Sequence, residues 1–218
     1  MKKALIILSG GLDSTVLAHD IVSRGKKALA AVSFDYGQKH TRELDFAAQQ
    51  AKILKIEHQI VALPFIGELF DSALLAGGDE LPHGHYEDDN MKQTVVPNRN
   101  MIMLSIAAGL AISQKRTELF YGAHGGDHAI YPDCRPDFVD AMKEVLQLCD
   151  WQKIKLHVPW LHDDKAKIVR HGMELGVDFS KTWTCYAGGE QPCGKCGSCV
   201  ERAEAFALNG ANDPLLLK

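Results

Sequence analysis

The feature that most constrains the fold is a repeated alternation of short apolar runs with longer amphipathic stretches. Such runs are typical of strands buried on both faces, and the stretches between them are typical of crossover helices. Because parallel strands require crossover connections, the pattern predicts an α/β, Rossmann-like open parallel sheet of about five strands. The expected strands are Ala4–Leu8, Ala28–Phe34, His58–Leu63, Glu118–Gly122 and Lys155–Trp160.

The stretches between these runs predict helices, except in one region. One helix is expected to end near Gly25, and others span about 44–54, 98–114, 136–149, 163–175 and 198–208. Between residues 64 and 96 the periodicity is lost. Structureless segments of that length in compact domains are usually functional or disordered, so a long mobile loop is expected there.

Size and charge limit the classes of protein. The 218 residues predict an α/β domain over 1–180 and a small C-terminal segment over 181–218. A net charge of -4 lacks the basic surplus of proteins that grip long nucleic acid, so no stable nucleic-acid partner is expected. The apolar run Ala4–Leu8 is too short for a signal peptide, and because no uninterrupted run of about 18 apolar residues occurs, no membrane-crossing helix is expected. We expect a cytoplasmic protein without a membrane partner.

A glycine-rich loop, SGGLDST at Ser9–Thr15, follows the first predicted strand. Its glycines let an anion approach the backbone, its hydroxyls can donate hydrogen bonds, and the next helix adds unpaired N–H groups. These features predict a phosphate site. A tight turn with Asp13 or Ser14 as helix cap is the alternative that these seven residues leave open. Neither GxxxxGK(S/T) nor GxGxxG occurs, which argues against a Walker loop and a dinucleotide fold.

The order SGGxDS directly after a first strand resembles the pyrophosphate loop of N-type ATP pyrophosphatases. That resemblance implies an adenine-nucleotide hydrolase-like fold that cleaves ATP, with its Mg²⁺, between the α- and β-phosphates. Asp13 and Lys165 are the expected catalytic residues. Lys165 begins a predicted helix, where its charge opposes the helix dipole, and a phosphate contact would resolve that conflict. The expected ATP-binding residues are Leu8, Ser9, Gly10, Gly11, Leu12, Asp13, Ser14, Thr15 and Lys165.

Four of the six cysteines, Cys185, Cys193, Cys196 and Cys199, have the spacing C-x7-C-x2-C-x2-C. Four thiolates close a tetrahedral Zn²⁺ site with no position for water, so one structural zinc per chain is expected. An iron–sulfur cluster uses the same ligands, and disulfides are a third option that a reducing compartment disfavours. Cys149 is interpreted as a core residue on an apolar helix face. For Cys134, the sequence does not decide between a functional thiol and a buried structural one.

Further polar side chains follow the second and fourth predicted strands, at the edge where open parallel sheets bind ligands. Asp35 and Tyr36 are expected to flank the nucleotide. The segment 122–138 is dense in titratable groups, which favours function over a solvated loop. Arg99 either contacts an anion or caps a helix, and both interpretations stay open. The candidates for substrate or magnesium are Asp35, Tyr36, Arg99, Asp127, Tyr131 and Asp133.

Five segments together resemble the 7-cyano-7-deazaguanine synthase family of queuosine and archaeosine base biosynthesis. They are SGGLDST, SFDYGQKH, VPNRN, HGGDHAIYPDCRP and TWTCYAGGEQPCGKCGSCVERAEAF. The resemblance implies ATP-dependent conversion of 7-carboxy-7-deazaguanine and ammonia to the nitrile, through an acyl adenylate and an amide. It also implies a homodimer. Val16 and Thr184 are conservative departures from the family pattern.

Two other functions are weighed against this one. A pyrophosphate-loop adenylase acting on a tRNA base would share the loop and the metal. It should also carry an RNA-binding domain or a basic face, and the composition indicates neither. A zinc module that only binds nucleic acid would account for the cysteines but would leave SGGLDST without a purpose.

Overall fold

The computed structural model describes residues 3–25, 28–84 and 88–216. Within them lies one sheet of five parallel strands in the order β3-β2-β1-β4-β5. The predicted fold class is therefore confirmed. Residues 85–87, part of the predicted loop, lie outside the described residues. The strands are β1 (Ala4–Ile7), β2 (Leu29–Asp35), β3 (Glu57–Ala62), β4 (Glu118–Phe120) and β5 (Lys155–His157).

Helices cover both faces of the sheet. They are α1 (Leu12–Ser23), α2 (Arg42–Leu54), α3 (Pro64–Leu69), α4 (Arg99–Ser113), α5 (Pro136–Leu148), α6 (Lys165–Glu174) and α7 (Gly197–Leu208). Successive strand residues point to opposite faces, so Leu5 joins the apolar cluster of α4 and α5, whereas Ala4 and Ile6 join that of α1, α2, α6 and α7.

The strand order places β1 between β2 and β4, and the chain leaves it first to one side and later to the other. At such a switch point the connections diverge and leave a crevice beyond the carboxyl ends of the strands. The glycine-rich loop follows β1 at this position. The topology thus puts the loop where an open parallel sheet binds ligands.

The prediction of a long mobile loop over 64–96 is wrong for most of its described part. The segment contains α3 and a 3-10 turn at Asp89–Thr94, and several of its apolar side chains are inserted into the core. Periodicity does not reveal single apolar anchors spaced irregularly between turns. The buried anchors are Ile66, Leu74, Leu75, Met91 and Val96.

The stretch Asn90–Ser113 is long and apolar enough to cross a membrane, judged by length and composition alone. The backbone is not helical at Val95–Asn98, where Asn98 has a left-handed φ of 57°. α4 itself has 15 residues, fewer than the roughly 20 of a membrane-spanning helix. Its Leu104 and Ala107 pack on the sheet. We interpret α4 as a core helix.

The interpretation of Cys149 as a core residue is wrong. Cys149 is exposed at the end of α5, and Val145 on the same predicted face is half exposed. The buried face of α5 instead carries Val139, Met142 and Leu146. Apolar residues occur on two sides of this helix, so helical spacing alone did not identify the buried one.

The C-terminal segment has its own small apolar cluster around Trp183 and the cysteines. Buried Arg202 donates to both carboxylate oxygens of Asp213 at 2.7 and 2.9 Å and to Thr182 Oγ1 at 2.8 Å. Through these hydrogen bonds, Arg202 connects Asp213, near the C-terminus, to Thr182, which shortly precedes Cys185. Phe206 of α7 also joins the cluster of α1 and α6. The division at residue 180 stays a prediction.

Candidate active site

A cleft opens at the carboxyl ends of β1, β2 and β4, beside the starts of α1, α2 and α4. Two groups of contacting side chains line it. The first, here the loop group, surrounds the glycine-rich loop: Ser9, Asp13, Ser14, Asp127 and Lys165. The second, here the arginine group, surrounds Arg99: Tyr36, Glu43, Arg99, Tyr131 and Tyr186.

The loop has a backbone that only glycine fits at Gly10. Its φ is +82°, and a Cβ there would lie 2.1 Å from the carbonyl oxygen of Glu43. Ser9 and Ser14 hydroxyls lie 3.0 Å apart, and Ser14 Oγ accepts from the N–H of Ser9 at 3.2 Å. Gly11 and the first residues of α1 line the cleft, so the positive end of the helix faces it.

Lys165, the first residue of α6, is buried among carboxylates of the loop group. Its Nζ contacts Glu201 of α7 and lies 3.6 Å from Asp13 Oδ2. Burial alone would lower the pKa of Lys165, but Asp13 and Glu201 outweigh it and raise the pKa above its ordinary value. His124 Nε2 lies 3.8 Å from Asp13 and 3.5 Å from Asp127. Because its pKa is raised, Lys165 is a cation beside the glycine-rich loop at neutral pH.

In the arginine group, the Arg99 guanidinium lies close to two tyrosine rings and to the hydroxyl group of one of them. Arg99 donates to the hydroxyl of Tyr36 at 3.3 Å, and its guanidinium lies 5.7 and 5.8 Å from the ring centres of Tyr36 and Tyr131. The Tyr131 hydroxyl lies 2.8 Å from Thr94 Oγ1 and 3.3 Å from the Tyr186 hydroxyl. Burial raises the pKa of Tyr36 to about 12, so the phenol stays neutral. Arg99 thus lines the cleft rather than serving only as a helix cap.

Glu43 is a cleft residue that sequence reasoning missed. It lies in the first turn of α2, its side chain is 13% exposed, and Gln38 Nε2 donates to its Oε1 at 3.0 Å. His40 Nε2 lies 3.5 Å from the other oxygen. Burial raises the pKa of Glu43 to about 8. In the sequence it resembles any acidic residue that complements a helix dipole.

Four predicted site residues lie outside the cleft lining. Asp35 borders a separate depression beyond β2, and Thr15 is fully buried within α1. Gly10 packs against the backbone of α2, and Asp133 accepts a hydrogen bond from the N–H of Asn100 at 3.0 Å. Asp133 therefore holds the start of α4. Leu8 and Leu12 do line the cleft, as do Tyr36, Arg99, Asp127 and Tyr131.

Cys134 is buried at the base of the cleft. Its sulfur accepts from Asn100 Nδ2 at 3.3 Å and lies 3.4 Å from the Tyr121 hydroxyl. Burial raises the pKa of Cys134 well above its ordinary value, so the neutral thiol is stable there. A neutral thiol is a poor nucleophile. The surroundings therefore favour a structural contact over a reactive thiol.

The four clustered cysteines bring their sulfur atoms within 4.8 Å of one another. Tetrahedral zinc with bonds of about 2.3 Å separates its sulfurs by roughly 3.8 Å, so the cluster fits one ion. Cys185 Sγ accepts from the N–H groups of Ala187 and Cys193 at 3.4 and 3.3 Å. Hydrogen bonds from Cys196 and Cys199 lower the pKa of Cys185. Cys185, Cys196 and Cys199 are buried and Cys193 is half buried, so the cluster could hold a metal ion largely shielded from solvent.

A parallel sheet whose glycine-rich loop after β1 lies beside a buried lysine and an acidic residue is an open α/β fold with a cleft suited to an anion at its switch point. The chain matches the family model described as queuosine biosynthesis protein QueC over residues 3–210, and it belongs to that family. The resemblance found in the sequence is confirmed.

Relatives agree with this assignment. The chain is 51% identical to the 7-cyano-7-deazaguanine synthases of Caldicellulosiruptor saccharolyticus and Methanoregula boonei over 213 residues. The matches cover 98% of this chain and 94% and 98% of those proteins. The QueC family is a family of ATP-dependent enzymes, so the chain is an enzyme of this kind.

Two solved structures share the fold. NMN synthetase from Francisella tularensis has a TM-score of 0.57 at 15% identity, covering 97% of this chain and 78% of its own. U34-tRNA thiolase NcsA from Methanococcus maripaludis, solved with its 4Fe–4S cluster, has a TM-score of 0.53 at 15% identity, covering 96% and 64%. At these identities the likeness concerns the fold alone.

Proposed function

We propose that this chain uses ATP and ammonia to convert 7-carboxy-7-deazaguanine into 7-cyano-7-deazaguanine. The observation that carries the proposal is the 51% identity, along nearly the whole chain, to proteins named for that product. The cleft supports the proposal, because the glycine-rich loop, which suits phosphate, and the arginine group, whose aromatic and charged side chains suit a purine-like base, line the same cavity. The alternative of a tRNA-base adenylase is not favoured by these relatives.

The chemistry requires two activations, since neither oxygen of a carboxylate leaves readily at neutral pH. In the first, a carboxylate oxygen attacks the α-phosphorus of ATP, and the bond to the β-phosphate breaks to release pyrophosphate. Ammonia then attacks the acyl carbon, AMP leaves, and loss of a proton gives the amide. In the second, the amide oxygen attacks the α-phosphorus of another ATP, the bond to the β-phosphate breaks to release pyrophosphate, and one N–H proton is lost. Loss of AMP and a proton leaves the nitrile.

The loop group would stabilise the charge that moves onto pyrophosphate. Hydroxyls of Ser9 and Ser14, together with N–H groups at the start of α1, would donate to phosphate oxygens. Lys165 would supply the positive charge, and Asp13 would orient it. Mg²⁺ carried with ATP would neutralise phosphate charge, with Asp127 as its candidate ligand. A cytoplasmic location and a homodimer stay predictions.

We infer that the four cysteines hold one Zn²⁺. Four sulfurs within 4.8 Å suit a single ion, whereas a four-iron cluster would stand between its ligands and hold them further apart. We expect metal analysis of anaerobically purified protein to give one zinc per chain and negligible iron. A brown protein with several irons per chain would contradict this assignment.

The proposed function predicts which nucleotide is formed and how much. We expect two AMP for each nitrile, an amide that accumulates transiently, and turnover of that amide when it is supplied directly. Incubation with ATP, Mg²⁺, ammonium and 7-carboxy-7-deazaguanine, followed by chromatography and mass analysis, measures all three. ADP as the main product, or one AMP for each nitrile, would refute the mechanism.

A further inference from the structure

Glu43 has no task in the phosphate chemistry, yet its carboxyl group lines the same cleft. The side chain is mostly buried, and its two oxygens contact Gln38 and His40, whereas no lysine or arginine among the described residues lies at ion-pair distance from them. Placing a carboxyl in such a position costs stability, as its raised pKa reflects. Groups of this kind in a cleft are candidates for ligand recognition.

The surroundings of Glu43 fix its position relative to the loop. The Gly10 backbone packs directly on the Glu43 carbonyl, where even a methyl group would not fit. Arg99 enters the same cleft from α4, close enough for its charge to act on Glu43. A carboxyl group and a guanidinium are thus presented to one ligand by two helices, next to the site of phosphate transfer.

These two groups complement the edge of a guanine-like base. N1–H and the 2-amino group are adjacent donors that a carboxylate accepts together, and O6 is an adjacent acceptor for a guanidinium. Adenine offers a single donor beside the N1 lone pair, which would repel the second carboxylate oxygen. We propose that Glu43 is a specificity-determining residue that accepts hydrogen bonds from N1–H and the 2-amino group of the deazaguanine, while Arg99 donates to O6. The inference rests on the proposed function.

The protonation of Glu43 makes this recognition depend on pH. The pKa of about 8, set by burial, leaves the acid largely protonated at pH 6, and two N–H donors would favour the ionised form. The other titratable or charged groups near its carboxyl are His40, Tyr36 and Arg99. We expect the Kd of 7-cyano-7-deazaguanine to fall as pH rises from 6 to 8, by up to about tenfold per unit. Glu43→Gln should remove that dependence.

The decisive experiment compares 7-carboxy-7-deazaguanine with its analogue that lacks the 2-amino group. We expect wild-type kcat/KM to favour the guanine form by about 10⁴-fold, because the analogue leaves a buried carboxylate oxygen unpaired. Glu43→Gln should lose about 10²-fold or more with the guanine form, mainly through KM, and discriminate by about tenfold or less. Asp45→Asn, exposed in the same helix, is the control and should match wild type.

The outcomes separate this inference from the proposed function. Wild-type protein that forms no nitrile from 7-carboxy-7-deazaguanine would overturn the proposed function. Active wild type that accepts the 2-deamino analogue equally well would overturn the inference alone, and this comparison needs no variant. Glu43→Gln that melts like wild type, binds ATP normally and keeps full discrimination would also overturn it.

Discussion

Replacing Asp13 with alanine is expected to reduce turnover by at least about 10³-fold while the protein stays folded. The Asp13 carboxylate lies 3.6 Å from Lys165 Nζ and 3.8 Å from His124 Nε2, and it is 22% exposed, so it belongs to the cleft rather than the core. Without the Asp13 carboxylate, Glu201 would orient the Lys165 ammonium group away from the phosphates. Initial rates of AMP release and thermal melting of both proteins measure the effect.

Asp137→Ala is the matched control for Asp13→Ala. Asp137 also lies in the first turn of a helix, but it is exposed on α5 outside the cleft lining. Both changes remove the same helix-dipole interaction, worth about 0.3–1 kcal/mol. Only Asp13→Ala should lose activity. Unfolding of Asp13→Ala with a stable Asp137→Ala would favour the turn-and-cap interpretation of the loop.

Cys193→Ser is expected to release the metal and unfold the C-terminal segment. Structural zinc contributes about 10–16 kcal/mol of apparent binding free energy in zinc-finger peptides, comparable with the whole stability of a domain. Cys193 is only half buried, so the exchange of sulfur for oxygen costs little packing. A large fall in Tm therefore reports the lost ligand. Metal content and melting curves provide the measurement.

The control for this change is Cys149→Ser, which alters an exposed thiol at the end of α5. We expect its Tm to shift by no more than a few degrees, since exposed substitutions usually change stability by about 0.5 kcal/mol or less. Its zinc content should stay at one per chain. Equal losses of Tm in the two variants would contradict a metal role for Cys193.

Most of the fold was predictable because it depends on local patterns. Apolar runs identified all five described strands, although the predicted fifth strand, Lys155–Trp160, ends at His157 in the structure. The described part of 64–96 was not predictable, because isolated anchors such as Leu74 and Met91 pack against elements distant in sequence. The order of the strands likewise depends on packing between distant segments.

The site was predictable where its residues lie in short motifs or directly after predicted strands, as the loop residues, Tyr36 and Asp127 do. The phosphate loop and the cysteines each lie within one short segment, so their spacing carries the information. Glu201 of α7 contacts Lys165, 36 positions earlier in the chain, and Glu43 of α2 lines the same cleft as Arg99, 56 positions later. Such proximity exists only after folding. In the sequence, nothing distinguishes Glu43 or Glu201 from other acidic residues on amphipathic helices.

The helix that begins at the cysteine cluster also reaches the nucleotide site. α7 starts directly after Cys196, contributes Ser198 to the cleft and places Glu201 on Lys165. Losing a metal from the cysteines would therefore also disturb the contact between Glu201 and Lys165, the lysine that we propose binds phosphate. Thermodynamic linkage is reciprocal, so a nucleotide that binds the metal-loaded arrangement more tightly must raise the affinity of the cysteines for the metal by the same factor. We therefore expect a chelator that removes the metal to weaken ATP binding without itself entering the cleft.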